Sequence, residues 1–235
     1  MTKLAAIFGA GQRVGKSVAL QFLREGYQVA VVSRSGAKSL DEEAEKFKGS
    51  LRRYSADLGW AEDAVRVWNE IKKDFSTPIS VVFYNAAANS STDKFFDFQV
   101  SVDDLRRDQE INALSLFALA REAVRDFKGL PASVPKAFIY TGNGLDDPKA
   151  FPKTPPGLLT GAVGKHAAAH FIDAASQTFG AEGYKFYYID ERLADGAPAY
   201  GKITGPGHAD MVWKLSQEPT QGDWRVSFIN GKGKI

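Results

Sequence analysis

The sequence predicts a single doubly wound α/β domain: an open parallel sheet of about seven strands with helices on both faces. Three observations carry this. Short runs that are apolar on both faces alternate with amphipathic stretches, and strands of that kind belong to parallel sheets covered on both sides. A glycine-rich turn follows the first run. No linker or internal repeat divides residues 1–235, a length that suits one such domain.

Leu4 to Phe8 is the first strand, five apolar residues without a polar break. The glycine turn then opens a helix over about 12–25. Gln28 to Ser33, Leu51 to Ala56 and Ile79 to Tyr84 read as the next strands, with helices at about 39–48 and 61–74 between them. A long helix over about 101–128 carries Leu105, Ile111, Leu114, Phe117 and Val124 at roughly helical spacing. Ahead of it, Phe95, Phe96 and Phe98 either line a substrate wall or serve packing. Lys136 to Thr141 is the fifth strand, and a loop over about 142–157 with four prolines follows it. An Ala- and Gly-rich helix over 157–179 leads to a sixth strand, Tyr184 to Ile189. A second loop, about 191–207, precedes the seventh, Arg225 to Ile229. Both long loops leave the carboxyl ends of strands, where open α/β sheets bind ligands, so both are expected to shape a substrate site.

Composition narrows the function classes. Thirty basic and twenty-eight acidic residues are interspersed, for a net charge of +2, and no basic run points to nucleic acid or an anionic membrane. The chain has no cysteine, which excludes disulfides, thiolate metal sites and thiol nucleophiles. The apolar run near the amino terminus is too short for a signal peptide, and no stretch is long enough for a membrane span. The expected location is therefore cytoplasmic and the expected partner a small molecule.

Gly9-Ala10-Gly11-Gln12-Arg13-Val14-Gly15 follows strand one and opens a helix. Glycines at these spacings permit a tight turn and let backbone N–H groups approach a pyrophosphate at the helix terminus. Gly15-Lys16-Ser17 also resembles the end of a nucleoside-triphosphate P-loop. That motif needs a glycine five residues before the Gly-Lys pair, and Ala10 stands there. The turn is therefore expected to be the dinucleotide site of a Rossmann-type fold. The second strand ends in Ser33-Arg34, where an NAD site places a carboxylate for the ribose 2′-hydroxyl. A guanidinium suits phosphate oxygens instead, so NADP(H) is favoured, with Arg13 and Lys38 as further sources of positive charge.

On these residues the chain resembles the short-chain dehydrogenase/reductases over nearly its whole length. The turn is similar to the family's Gly-x-x-x-Gly-x-Gly, with Gly9 and Gly15 kept and Arg13 in place of the middle glycine. The resemblance implies that Asp57-Leu58, at the end of strand three, meets the adenine; otherwise Asp57 caps the next helix. Asn85-Ala86-Ala87 looks like the family's Asn-Ala-Gly segment on the adenosine side, with Asn85 as a plain turn residue the alternative. Asn112 matches a structural and proton-relay asparagine, or else is a satisfied core amide.

The family's catalytic positions are matched less well. Lys165 fits the lysine of Tyr-x-x-x-Lys, which implies that it holds the nicotinamide ribose, but Gly161 stands where the tyrosine would be. Asn143, or alternatively Thr141, falls near the family's serine. Asp190-Glu191 occupies the place of a common Pro-Gly, and Tyr200 in the second loop is a further candidate to meet the nicotinamide. His166 and His170 share a helix face but lack a third metal ligand, so no metal is expected. The resemblance implies an NADPH-dependent oxidoreductase with an altered proton route, acting on a carbonyl or an activated C=N or C=C acceptor. The alternative is an NADP(H)-binding protein without redox activity. By resemblance a homodimer or homotetramer is expected.

Overall fold

The computed structural model describes residues 2–90, 100–147 and 157–235; Phe95, Phe96, Phe98 and most of the predicted 142–157 loop lie outside them. The elements in chain order are β1 (Leu4–Phe8), α1 (Val14–Arg24), β2 (Gln28–Ser33), α2 (Asp41–Lys46), β3 (Leu51–Ser55), α3 (Ala61–Phe75) and β4 (Val81–Tyr84). They continue with α4 (Val102–Gln109), α5 (Ser115–Lys128), β5 (Ala137–Thr141), α6 (Leu159–Phe179), β6 (Lys185–Glu191), α7 (Gly205–Gln217), β7 (Arg225–Ile229) and β8 (Gly233–Lys234).

The strands form one sheet in the order β3-β2-β1-β4-β5-β6-β7-β8. All pairings are parallel except β7 with β8, a two-residue antiparallel strand beyond the seven expected. Two residues cannot show an alternating pattern, so β8 has no signature of its own in the sequence. The order reverses between β1 and β4, which makes the carboxyl ends of those strands the switch point where such sheets bind ligands.

Alternation along each strand divides the core. Leu4, Ala6 and Phe8 of β1 face one layer with Trp68 of α3, Leu119 of α5 and Ile172 of α6. Ala5 and Ile7 face the other, with Val18 and Phe22 of α1 and Val212 and Leu215 of α7. α3 shows why these segments are helical: Ala64, Val67, Trp68, Ile71 and Phe75 recur at three- and four-residue spacing and are all buried. Among the described residues, no helix is long and apolar enough to cross a membrane.

Besides β8, the structure departs from the expected elements in two places. The single helix over 101–128 is two helices joined by a π-helical turn, Glu110–Leu114. α4 starts with a capping box, in which Ser101 Oγ accepts from the Asp104 N–H while the Asp104 carboxylate accepts from the Ser101 N–H. The second departure is α7, which has no counterpart in the predicted elements. Thr204 caps it and Pro206 lies in its first turn, both of which are helix-start signals, but the Gly, Pro and Ala content of 191–207 reads as loop.

Candidate active site

The carboxyl ends of the strands open into two adjoining cavities. The larger, about 740 Å³, is walled by Gly9, Gly11 and Gln12 of the turn, Ser33, Arg34 and Lys38 after β2, Asp57 and Leu58 after β3, and Asn85, Ala86 and Ala87 after β4. The smaller, about 380 Å³, lies on the other side of the turn between Arg13, Val14, Asn143, Lys165 and Ile203. Gly11, Gln12, Asn85 and Ala87 line both. Of the residues singled out in the sequence as site residues or further candidates, Gly15, Asn112, Asp190, Glu191 and Tyr200 line neither.

The three glycines act differently. Gly9 has φ +81°, and a Cβ there would lie 2.4 Å from the Ala86 backbone nitrogen, so only glycine fits between β1 and the segment after β4. A Cβ on Gly15 would lie 2.6 Å from Ala10 Cα, so this position lets α1 close onto the turn. A Cβ on Gly11 meets nothing within 4 Å, so its face of the turn is open to the cavities. Arg13, just ahead of α1, provides no side-chain cap. The Lys16 N–H donates to the Gly11 carbonyl at 2.9 Å, so it is the Val14 and Gly15 N–H groups at the start of α1 that no side chain caps, which suits an anion such as a pyrophosphate. Lys16 is not part of this cradle, because its Nζ pairs with Glu43 at 2.7 Å and donates to the Ser39 carbonyl at 3.2 Å.

At the far end of the larger cavity Ser33 Oγ accepts from the Ala37 N–H at 2.7 Å, which ties down the turn that carries exposed Arg34. The Asp57 carboxylate accepts from the Gly59 N–H at 3.0 Å and from Arg107 at 3.3 and 3.4 Å. The Gly59 bond, then Arg107 and the nearby Arg34 charge, hold that carboxyl below its usual range. Asp57 is not the helix cap: Trp60 occupies that position for α3. Asn85 Nδ2 donates to the Gly9 carbonyl at 3.0 Å, which joins the end of β4 to the glycine turn.

In the smaller cavity Lys165 Nζ donates to the Thr141 carbonyl at 2.7 Å and stands 4.3 Å above the Tyr140 ring. Burial pulls its ammonium down to about 8, while the charges of Asp146 and Asp190 work in the other direction. Asn143 Oδ1 accepts from the Leu145 N–H at 3.2 Å, which closes a short turn. Asn112 is fully buried in the π-helical turn, its Oδ1 accepting from the Ala88 N–H at 2.9 Å and its Nδ2 donating to the Ala88 carbonyl at 2.8 Å. Both ends of the amide are used to hold the segment after β4. Arg13 Nη1 donates to the Gly201 carbonyl at 2.8 Å. That guanidinium lies on the Lys165 side of the turn, away from Ser33 and Arg34.

Residues 3–133 match the family model of the short chain dehydrogenases. Over 243 aligned residues, which cover 99% of this chain and 94% of the relative, the sequence is 35% identical to short chain dehydrogenase/reductase dmxR12 of Cryptosporiopsis sp. (strain 8999). The chain belongs to the short-chain dehydrogenase/reductase family. Solved structures agree on the fold. A metagenomic short-chain oxidoreductase in complex with NADP superposes with a TM-score of 0.80 at 14% identity, covering 97% of this chain and 96% of that one. An NADPH-dependent 3-quinuclidinone reductase from Rhodotorula rubra gives 0.74 at 20% identity, covering 91% and 84%.

In this short-chain dehydrogenase/reductase, position 161 is packed shut. A Cβ on Gly161 would lie 2.9 Å from Asn89 Oδ1, and that oxygen accepts from the Gly161 N–H at 3.0 Å. Asn89 also donates to the Gly157 carbonyl at 2.6 Å, so it joins the segment after β4 to the start of α6.

Sequence reasoning left several contributors without a role. Arg107 reaches Asp57 across fifty positions of sequence, a pairing that no local pattern announces. The Asp190-Glu191 carboxylates were visible at a strand end, but their partners were not. Asp190 is buried and accepts from Arg192 Nε at 2.5 Å on one oxygen, while its other oxygen has no partner among the described residues. Burial pushes its carboxyl up to about 6 against the pull of Arg192. Glu191 accepts from the Thr204 N–H at 2.6 Å and from Thr204 Oγ1 at 2.8 Å, and pairs with buried His208 at 3.2 Å. Burial alone would raise the Glu191 carboxyl, but the His208 and Thr204 bonds outweigh it and leave it below its usual range. Glu191 thereby pins the loop that carries Ile203 into the wall of the smaller cavity.

Proposed function

We propose that this protein is an NADPH-dependent oxidoreductase with a non-standard active site, reducing a carbonyl or an activated C=N or C=C acceptor. The observation that carries the cofactor choice is the end of β2. Arg34 stands in the cavity wall with Lys38 and Ser33 beside it, and no carboxylate ends that strand. The uncapped α1 terminus and the open face of Gly11 fit the pyrophosphate, with Gln12 and Val14 beside it. Asp57 and Leu58 would face the adenine, and Asn85, Ala86 and Ala87 the adenosine side. Arg13 would bear on the nicotinamide side of the turn rather than on the 2′-phosphate. When bound, the reduced cofactor supplies hydride.

The chain's own groups do the rest in this reading. Lys165 has two N–H groups beyond the one on Thr141, enough to hold a ribose hydroxyl. Asn143 keeps its amide N–H group for a substrate oxygen, and Asn112 fixes the wall through Ala88. The family's tyrosine position is taken by Gly161.

Calorimetric titration with NADPH and NADH tests this reading. NADPH is expected to bind much more tightly. Arg34→Ala should raise its Kd roughly 10- to 100-fold, the loss of a charge-assisted hydrogen bond, and leave NADH nearly unchanged. Equal loss for both cofactors would place the 2′-phosphate elsewhere. One observation favours a second reading, an NADP(H)-binding protein without redox chemistry: Asn89 fills the space at Gly161. Under that reading NADPH binds but no acceptor oxidises it faster than solvent does.

We also assign self-association, as a homodimer or homotetramer, to the apolar groove of about 450 Å³ between α5 and α6, where exposed Phe117 meets Phe171 at a ring distance of 5.1 Å. Phe117→Asp should convert the oligomer seen by light scattering to monomer. An unchanged mass would remove this face from consideration.

A further inference from the structure

The smaller cavity contains two ionisable side chains among the described residues, Arg13 and Lys165. A guanidinium does not give up its proton in a protein. The lining amides and the Thr141 hydroxyl are not acids in this range. Two tyrosines lie close beneath, but both are fully buried in the core and turned away: Tyr140 Oη donates to the Asn112 carbonyl at 3.5 Å and Tyr188 Oη to Asp146 at 2.8 Å. Burial pushes both phenols well above their usual range. We propose that the Lys165 ammonium is itself the proton donor of the reduction, in the place of the tyrosine that Gly161 lacks.

This rests on the NADPH reading above and deepens it. The step balances as one hydride and one proton per turnover. Hydride from NADPH bonds to the carbonyl carbon, the C=O π pair moves to oxygen, and that oxygen takes a proton from Nζ. The neutral amine is then reprotonated from water.

The surroundings of Lys165 suit this role. From β5 the Tyr140 ring lies beneath Nζ and the Thr141 carbonyl orients it. From the loop after β5 and from β6, the carboxylates of Asp146 and Asp190 act on it as charges. Each is itself paired, Asp146 with Arg225 at 2.6 Å and Asp190 with Arg192 at 2.5 Å, so neither neutralises the lysine by direct contact. From the π-helical turn the neutral Asn112 abuts Gly164. Burial weakens the hold on the proton, and the two carboxylates keep the site charged at neutral pH. Asp190 is thus a positioning residue for this proton.

The first test needs no cofactor. In apoprotein labelled with ¹³C-lysine, the resonance lost in Lys165→Arg identifies Lys165. It should titrate near 8, and lower in Asp190→Asn. A midpoint near that of an ordinary lysine, about 10.4, would overturn the proposal. The second test compares an aryl ketone, which needs a proton, with an N-methyl dihydroisoquinolinium, an iminium that takes hydride alone. In Lys165→Arg the ketone-to-iminium rate ratio should fall by roughly 100-fold or more, the scale of lost general-acid catalysis. A purely structural role would lower both rates together, and that result, an unchanged ratio or a wild type inactive on both acceptors overturns the assignment. Calorimetry on the same samples separates the two levels. NADPH that fails to bind the wild type sinks the cofactor reading, whereas NADPH bound with an unchanged ratio sinks only the lysine.

Discussion

Gly9→Ala should destabilise the fold by roughly 2–5 kcal/mol and raise the Kd for NADPH by about 100-fold or more. Two costs add at this position. The backbone holds φ +81°, where an L side chain costs about 1–2 kcal/mol, and the new Cβ would meet the Ala86 nitrogen at 2.4 Å. Neither neighbour can step aside, because the Gly9 N–H donates to the Val32 carbonyl and Asn85 Nδ2 holds the Gly9 carbonyl. Moving the turn therefore moves the N–H groups at the start of α1. Gly11→Ala is the matched control: its Cβ meets no protein atom within 4 Å and projects into open space. Its stability should stay within about 0.5 kcal/mol of wild type while NADPH binding falls. Urea unfolding and calorimetry on the pair separate the two effects. Full NADPH affinity in Gly11→Ala would mean that the phosphates do not pass over this turn.

Arg192→Met should cost roughly 3–5 kcal/mol at pH 7.5, because it leaves the buried Asp190 carboxylate without its counter-charge. Arg192 bonds Asp190 at 2.5 Å and Asp147 at 3.3 Å. The sign of the pH dependence follows from Asp190, whose carboxyl is pushed up to about 6 by burial. An acid whose folded value exceeds its unfolded value, about 3.9, binds its proton more tightly in the native state. Its contribution is thus fully present below about pH 4 and is lost as pH rises through 6, roughly 3 kcal/mol in all. Removing Arg192 raises that value further, so at pH 5 Asp190 is neutral and tolerates the loss. The difference between variant and wild type in urea unfolding should therefore be smaller at pH 5 than at 7.5. A difference independent of pH would show that Asp190 is not the group left exposed to the penalty.

Most of the scaffold was legible because it is written in local patterns. β1, β2 and β7 keep the bounds read from Leu4 to Phe8, Gln28 to Ser33 and Arg225 to Ile229. β1 and β2 are short apolar runs bounded by turn residues, and β7 alternates with Val226 and Phe228 inward, both patterns that suit strands. The glycine turn was legible for the same reason, since spacing alone shows where the chain must turn tightly and present N–H groups. α7 was missed because composition outweighed its cap: Thr204 and Pro206 start a helix within a stretch rich in glycine. The π-helical turn at Glu110–Leu114 left no mark, because one extra residue per turn does not disturb an apolar face enough to notice.

By itself the sequence determined the layered fold, the family resemblance, the glycine turn and the basic end of β2, all properties of residues close together in the chain. Only the tertiary structure decided what the charged side chains face. It tied Arg13 to Gly201, Arg107 to Asp57, Glu191 to Thr204 and Asp190 to Arg192, and it buried Lys165 beside Tyr140. The strength of a charge and the hold on a proton depend on solvent exposure and on neighbours brought together across the sheet. Neither is a property of the residue or of its place in the sequence.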